Sequence, residues 1–392
     1  MSKKVYSEYC TGCGICHSIE NVEFKKSTKG FKYPQISTHS QESFCKMTCP
    51  VGSNALKKDQ VRSLWGDYKE LKMGYSSSND IREKASSGGI ITSLCIYLLE
   101  MGLVDAIIHT TADNNVPYKT ITVISNTKEE LLSRLGSRYC ESNPLENIHK
   151  HVTKGTRYAF IGKPCDVVAL SNYMENSGEF REEILYKFSF FCAGTPSTNA
   201  NIRLLNALDV KVNECKSLNY RGNGWPGFTT VTTRTDQVKT MTYNESWMNI
   251  LGRDIRKGCK FCYDSIGEKS DISCGDYWYL DSNNRPDFSE HKGRNCIFSW
   301  SENGSKILFD AAEKGYIVLS DDIDENTLAL AQPNHYSRRG TMLAKLLALR
   351  VFGKKAPEYD RHRIRVAAVQ YGIKKQPRAF LGTAKRIVKK KL

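Results

Sequence analysis

Arg157-Tyr158-Ala159-Phe160-Ile161-Gly162-Lys163-Pro164-Cys165-Asp166 reads as a buried strand, a turn and the opening of a helix. The apolar run is strand-length and ends at a glycine, and Pro164 stands at the turn into the helix expected over 167–174. The same alternation extends in both directions. Upstream, Ala85-Ser86-Ser87-Gly88-Gly89 opens an apolar helix over 90–101, Gly102 caps it, and strands follow over 104–110 and 118–125. Thr127-Lys128-Glu129-Glu130 is a capping box for a helix reaching about 135. Downstream, a strand over 184–192 runs into Ala193-Gly194-Thr195-Pro196-Ser197 and a helix from about 198. Strands alternating with helices give an α/β body with a mainly parallel sheet. Ligands in such sheets collect beyond the C-terminal strand ends, where Lys163-Pro164-Cys165 and Cys192 fall.

Past Lys216 the pattern changes, so the class becomes α/β with a mixed α+β part. Residues 229–234 and 238–243 read as an antiparallel hairpin around Thr235-Asp236-Gln237. Residues 343–352, 361–371 and 379–392 read as helices, broken at Pro357 and Pro377. The small residues before position 90 leave free N–H groups at a helix N-terminus, a place for a phosphate-bearing cofactor. A plain glycine-rich turn capping a core helix explains the same residues, and the local sequence leaves both open.

Seven of the fourteen cysteines form three short clusters: Cys10, Cys13 and Cys16; Cys45 and Cys49, followed by Pro50; and Cys259 with Cys262. Two-residue spacers let thiolates converge on one centre, and Gly12 and Gly14 let the backbone wrap around sulfide. A two-cluster ferredoxin repeats C-x2-C-x2-C-x3-C-P, with the fourth cysteine of each run serving the other cluster. Here the first run lacks its fourth cysteine and the second keeps only its last two. The crossed rule therefore assigns one [4Fe–4S] site: Cys10, Cys13, Cys16 and Cys49. Cys45 is left without companions, and its replacement is expected to be nearly silent. A zinc ribbon is the competing account, but zinc favours paired C-x2-C knuckles. Cys95, Cys140, Cys215 and Cys296 read as buried thiols.

The 392 residues suffice for two or three domains. They contain no bilayer-length apolar run, and Met1-Ser2-Lys3-Lys4 leads into polar sequence rather than a signal peptide. Reduced thiolates in a cytoplasm are the expectation. From Arg338 onward there are 17 Lys+Arg and 2 Asp+Glu, which leaves 40 of each kind in residues 1–337. The net charge of +15 is thus concentrated at the C-terminus. The expected organisation is a ferredoxin-like iron–sulfur module over 1–64, an α/β flavin-binding body over 65–337 and a basic helical appendage over 338–392.

Taken together, the segments 10–16, 85–99, 136–143, 160–170, 191–197, 220–227 and 256–278 resemble the β-subunit family of coenzyme F420-reducing hydrogenases and F420-linked dehydrogenases. The resemblance covers about residues 5–280. It implies a flavoenzyme with FAD in the α/β body and one or two [4Fe–4S] clusters. It further implies that Cys165, Cys192, Cys259 and Cys262 ligate the second cluster. FAD would be held by Ser86, Ser87, Gly88, Gly89 and Thr92, with Ser137, Arg138 and Lys163 close to phosphate or the reduced flavin. Two features depart from the family pattern. Ala193 stands where a histidine often follows the cysteine, and Cys274 replaces an aliphatic residue and competes as a ligand. Nothing in the chain specifically reads a deazaflavin headgroup. No histidine arrangement marks an acid or base, so no catalytic residue is assigned.

The resulting expectation is an oxidoreductase that passes electrons between a two-electron carrier or substrate and its clusters. Its redox partner would be a ferredoxin, F420 or another small carrier. An electron-transfer subunit docking on a separate catalytic partner is the alternative. A zinc-stabilised nucleic-acid-binding protein is the outsider, disfavoured by the balanced body and by a tail without aromatic stacking platforms. The basic helices interleave Leu343, Leu346, Leu347, Leu349, Val351 and Phe352, then Ala379, Phe380, Leu381, Ile387 and Val388. That pattern suits an anionic membrane surface at the inner face, or an acidic protein.

Overall fold

The computed structural model describes residues 3–19, 21–52, 61 and 63–389. Its centre is an eight-stranded sheet. Along the chain the strands are β1 (Glu70–Ser76), β2 (Ala106–Ala112), β3 (Thr120–Ser125), β4 (Tyr158–Gly162), β5 (Ile184–Phe190), β6 (Ile272–Asp276), β7 (Asn295–Ser299) and β8 (Ile317–Asp322). Across the sheet they run β8-β1-β7-β6-β5-β4-β2-β3. The neighbours β2/β4, β4/β5 and β5/β6 are parallel; the other four pairings are antiparallel. The sheet is therefore mixed, not mainly parallel as the alternation suggested. The expectation failed because the crossover pattern stops after the helix Thr198–Ala207, and β7, β1 and β8 join as antiparallel neighbours. The hairpin expected past Lys216 is present as Phe228–Thr233 and Val238–Thr242, with Cys215–Asn219 as a third antiparallel strand.

Both faces of the sheet are covered, as parallel strands buried on two sides require. One core gathers Val167, Leu170 and Tyr173 of the helix Pro164–Ser177 with Tyr6, Tyr9 and Ile15 of the N-terminal segment. Met342, Leu346, Leu349, Ile364 and Ile387 of the C-terminal helices close the same core. The second core pairs Ile90, Leu94 and Leu98 with Ile307 and Leu308 of the helix Glu302–Glu313. Each fully buried aliphatic side chain of this kind contributes about 1.5–3 kcal/mol.

The N-terminal segment contains the hairpin Glu23–Lys26/Lys32–Gln35 and the helix His39–Thr48. That helix opens with a reciprocal capping box between Thr38 and Gln41. At the other end, the helices Met342–Val351, Arg361–Tyr371 and Gln376–Val388 stand where the apolar periodicity put them. Pro377 lies in the first turn of the last helix, where its missing N–H costs nothing. Residues 390–392 of the helix expected over 379–392 lie outside the described residues. Leu346, Leu349 and Ile387 are buried, whereas Leu347, Val351, Leu381 and Val388 are exposed. Two arginines of this basic region are also buried: Arg339 and Arg363 both pair with the buried Glu268, Arg339 at 2.7 Å.

Candidate functional site

A cavity of about 780 Å³ opens at the C-terminal ends of β4 and β5 and beneath the N-terminus of the helix Ile90–Glu100. Its size suits a cofactor-sized molecule. Ser86, Ser87, Gly89 and Thr92 line one end, followed by Ser137, Arg138 and Lys163. Gly88 does not line it. A Cβ there would meet the Asn295 side-chain oxygen at 2.6 Å and Arg294 Cα at 3.0 Å, so this glycine serves packing between the 86–89 turn and β7.

The two cations on the wall are held firmly. The Arg138 guanidinium donates to the carbonyls of Leu218 (2.8 Å) and Pro117 (2.6 Å), while its Nε is buried with no partner. Lys163 Nζ lies 2.8 Å from Asp166 and 2.6 Å from Ser142 Oγ. Burial opposes the lysine's charge, but Asp166 and the Cys165 thiol outweigh it and hold Lys163 above the usual lysine range. Both residues supply positive charge to the cavity wall from fixed positions.

The opposite wall was not assigned from the sequence. Arg221 makes a two-pronged pair with Asp276 (2.8 and 3.0 Å), and Trp225 Nε1 donates to the same carboxylate at 2.7 Å. Trp278 stacks on Trp225 at 4.6 Å and lines the cavity beside Tyr243, Trp247 and Phe288. The signal was Arg221-Gly-Asn-Gly-Trp225 and Gly275-Asp276-Tyr-Trp278, two segments carrying the resemblance without an assigned role. Two histidines also line the cavity. His335 is buried, and burial with Arg338 and Arg339 nearby holds it well below the usual imidazole range, so it is neutral; its Nδ1 lies 3.0 Å from Ser265 Oγ. Burial and Arg134 bring His109 down to about 4, and its Nε2 contacts Ser125 Oγ at 2.8 Å.

The cysteines fall into two neighbourhoods, one holding the expected quartet Cys10, Cys13, Cys16 and Cys49 together with Cys45, the other the expected quartet Cys165, Cys192, Cys259 and Cys262. Cys13 and Cys49 are pushed up by burial and then by each other's neighbours: Cys16 and Cys10 act on Cys13, and Cys16, Cys13 and Cys10 act on Cys49. The body clasps this loop: Leu145 N donates to the Cys13 carbonyl (2.9 Å) and Asn143 Nδ2 to the Gly12 carbonyl (3.0 Å). Cys45 does not stand apart as expected. Cys45, inside the helix that delivers Cys49, is the foremost influence raising Cys16, ahead of burial. Cys165 feels Cys192 and Cys262, and Cys192 feels Cys259, in each case after burial. Thr195 N donates to Cys259 Sγ at 3.4 Å. Cys274 sits apart within β6, where its thiol neighbours are Cys296 and Cys95. Among the described residues no three His, Cys, Asp or Glu side chains close to the spacing one metal ion needs. A four-iron cubane holds its thiolates further apart than a single ion does, and the all-thiol donor sets match that chemistry.

The loops that carry the two quartets touch. A Cβ on Gly258, beside Cys259, would overlap the Tyr9 carbonyl oxygen and stand 3.0 Å from the Cys10 carbonyl oxygen. Arg256 is fully buried in the same joint. Its guanidinium lies 2.9 Å from where a Gly12 Cβ would be, pairs with Glu141 at 2.5 Å, and stacks over Phe31 at 4.6 Å. Cys10 and Cys259 both act on its charge. The second quartet in turn borders the cavity, which Cys192, Ala193 and Gly194 line.

Comparison with known proteins agrees with this architecture. Two family descriptions of the coenzyme F420 hydrogenase/dehydrogenase beta subunit match: the one for its N-terminal part over residues 72–150, and the one for its C-terminal part over residues 155–325. The chain belongs to the coenzyme F420 hydrogenase/dehydrogenase beta-subunit family, an oxidoreductase family. An uncharacterized protein of Methanocaldococcus jannaschii is 23% identical over 80% of this chain and 90% of its own length. The F420-dependent formate dehydrogenase subunit beta of the same organism is 25% identical over 62% of this chain, and the match spans 60% of that subunit. The coenzyme F420 hydrogenase subunit beta of Methanothermobacter thermautotrophicus is 23% identical, over 64% of this chain and 83% of its own. Among solved structures, a chain of the F420-reducing [NiFe] hydrogenase complex from Methanosarcina barkeri shares the fold. It has a TM-score of 0.55 and 20% identity, covering 77% of this chain and 99% of that one. Among the described residues no helix is long and apolar enough to cross a membrane.

Proposed function

We propose that this chain is a FAD- and iron–sulfur-dependent electron-transfer subunit or enzyme that links a two-electron carrier to two [4Fe–4S] clusters. The observation that carries the reading is continuity: the cavity borders the second quartet at Cys192, and the second quartet abuts the first at Gly258. A bound flavin would supply the conversion between two-electron and one-electron transfer. Ser86, Ser87, Gly89 and Thr92, with the helix N-terminus above them, would hold its phosphates. Ser137, Arg138 and Lys163 would place donors and positive charge against its anionic parts, and the orphaned Arg138 Nε fits that task. Trp278 and Tyr243 would exclude water from the ring side. Cys10, Cys13, Cys16 and Cys49 would hold one cluster; Cys165, Cys192, Cys259 and Cys262 would hold the other.

Several relatives are named for F420, and this chain's two-electron carrier would be F420 or a carrier of similar chemistry. The names also place relatives in hydrogenase and formate dehydrogenase assemblies, so a companion protein with its own catalytic site is a fitting partner. A cytoplasmic setting fits the balanced charge of the body and its many thiols, with the basic C-terminal helices free to meet an acidic protein or the inner membrane face. The test is anaerobic quantification of iron, sulfide and flavin. About eight irons and one FAD per chain are expected, with Cys13→Ala and Cys262→Ala each losing half the iron and keeping the flavin. Full iron in either variant removes that cysteine from its quartet, and a wild-type chain that neither carries nor takes up FAD overturns the reading.

A further inference from the structure

The small antiparallel sheet is held on one edge and open on the other. Its order puts Cys215–Asn219 and Val238–Thr242 at the two edges, with Phe228–Thr233 between them. At the Cys215–Asn219 edge, Arg138 donates to the Leu218 carbonyl at 2.8 Å. At the other edge, the alternation of an antiparallel ladder decides which backbone groups face out. Thr233 N donates to the Gln237 carbonyl at 2.9 Å, so Gln237, Lys239 and Met241 turn their backbone groups towards Phe228–Thr233. Val238, Thr240 and Thr242 turn theirs away. The Glu245 side chain agrees: it accepts from Thr242 N at 3.0 Å and from Thr242 Oγ1 at 2.6 Å. Val238, Lys239, Thr240 and Thr242 are exposed, and among the described residues no side chain caps the N–H of Val238 or Thr240. Open edges are ordinarily blunted by prolines, bulges or charge. Here the register runs from Val238 to Thr242 without a shift, and the strand holds no proline and one charge, Lys239. The outer face beside the edge carries Phe228, Thr230 and Thr232 against Thr242, Thr240 and Val238, all uncharged. Val238 is 61% and Phe228 49% exposed, so this face and edge are free within the chain.

We propose that the strand Val238–Thr242 pairs antiparallel with the same strand of a second copy of this chain, about a two-fold axis at Thr240, so that the two small sheets continue as one. A strand added to an open edge gains backbone hydrogen bonds, and a two-fold interface must be complementary to itself. The side chains decide the register. An axis at Lys239 would set two like charges directly opposite each other, which is destabilising. An axis at Thr240 sets Lys239 opposite Met241 of the second copy and Val238 opposite its Thr242. The two Thr240 residues then exchange their backbone bonds, Val238 N–H donates to the Thr242 carbonyl of the second copy, and each Thr242 N–H stays with Glu245. Lys239 also comes within one residue of the second copy's Thr242, where Glu245 is fixed. The nearby Asp236 is taken by Lys216 at 2.6 Å, which leaves Lys239 and Glu245 without an ion pair in their own chain among the described residues. Across the axis each supplies the other's counter-charge. A foreign strand would have to bring a matched acid and apolar residue at that spacing; a second copy does so by symmetry. The strand leads directly into the helical turn Glu245–Leu251, whose Trp247 and Met248 line the cavity, so the pairing also steadies that wall. None of this depends on what the cavity or the cysteines bind.

The experiment is sedimentation equilibrium of the full chain, purified anaerobically, over a dilution series. Expected is a reversible dimer. Thr240→Pro removes an outward N–H and no bond inside the sheet, a position where an edge strand tolerates proline. It should weaken the dimer by at least about tenfold, because a bond is lost on each side of the axis. Thr240→Cys is the second variant and needs no loss of stability to be read. Hydrogen-bonded partners in an antiparallel pair lie about 5.5 Å apart at Cα, within disulfide reach. Under mild oxidation Thr240→Cys should give a covalent dimer, while the wild type with its own cysteines and Lys239→Cys should not. A wild-type chain that stays monomeric at every concentration would overturn the proposal and leave the edge to a strand of another protein. Failure of Thr240→Cys to cross-link would overturn it whatever Thr240→Pro does, because the dimer would then form elsewhere. Cross-linking through Lys239→Cys instead would overturn the register.

Discussion

Gly258→Ala tests the joint between the two quartets. The new methyl would stand 2.8 Å from the Tyr9 carbonyl carbon and 3.0 Å from the Cys10 carbonyl oxygen. Carbon atoms in comfortable contact lie about 3.5–4.0 Å apart, so the two loops must separate by roughly 1 Å. Both neighbours are backbone, so no side chain can rotate aside. Overpacking of this sort costs about 1–3 kcal/mol. Gly382→Ala is the matched control: nothing lies within 4 Å of its methyl, and a helical glycine exchanged for alanine gains roughly 0.5–1 kcal/mol. Calorimetric unfolding should therefore move in opposite directions for the two variants. In Gly258→Ala, paramagnetic resonance of the reduced protein should also show weaker coupling between two clusters, with iron retained. An unshifted melting transition together with unchanged coupling would refute the claim that Gly258 sets the distance between the quartets.

Other consequences are open to measurement. Glu268→Gln removes the buried carboxylate that Arg339 and Arg363 share and should cost about 3–5 kcal/mol. Burial opposes the Glu268 carboxylate, but the two arginines outweigh it and hold it below its reference value of 4.5. Its contribution is therefore full above pH 4.5 and lost as pH falls further; urea unfolding at stepped pH should show that acid limb flattened in the variant. His109, at about 4 against a reference of 6.5, is also depressed. It contributes up to about 3 kcal/mol above pH 6.5, lost as pH falls towards 4, and His109→Asn should remove that slope. Cys45→Ala should keep the iron of the first site while altering its spectrum through the lost contact with Cys16. Loss of iron instead would put Cys45 in the ligand set.

The parallel pair β4/β5 was legible because the crossover between them is short and punctuated. Gly162 before Lys163-Pro164 and the proline–serine turn after Cys192 mark strand ends in one dimension. The strands β1, β7 and β8 were not legible. Each pairs with a partner distant in sequence: β1 takes β7 and β8, so Gly74 faces Asn295 on one side and Leu319 on the other. A strand buried by far-off neighbours needs no local turn signal to announce it. The C-terminal helices show the converse. Their periodicity gave the bounds of Arg361–Tyr371 residue for residue, yet a charge count cannot say which arginines turn inward. That depends on Glu268, whose acidity is unremarkable in the sequence.

The same distinction separates the quartets from the joint that connects them. Thiol spacing is local chemistry, so Cys10, Cys13 and Cys16 point to a cluster without any fold. Arg256 carries no such mark; it is one of 57 basic residues. Its position follows from three segments meeting: Gly12 leaves room for the guanidinium, Glu141 neutralises it, and the ring of Phe31 covers it. A buried arginine between two sets of thiolates lowers the cost of adding negative charge to either. Replacing it with methionine should lower both reduction potentials, and Arg256→Met/Glu141→Gln separates this electrostatic effect from the harm done by an orphaned carboxylate. A potentiometric titration in which the double variant keeps wild-type potentials would reduce Arg256 to a packing residue.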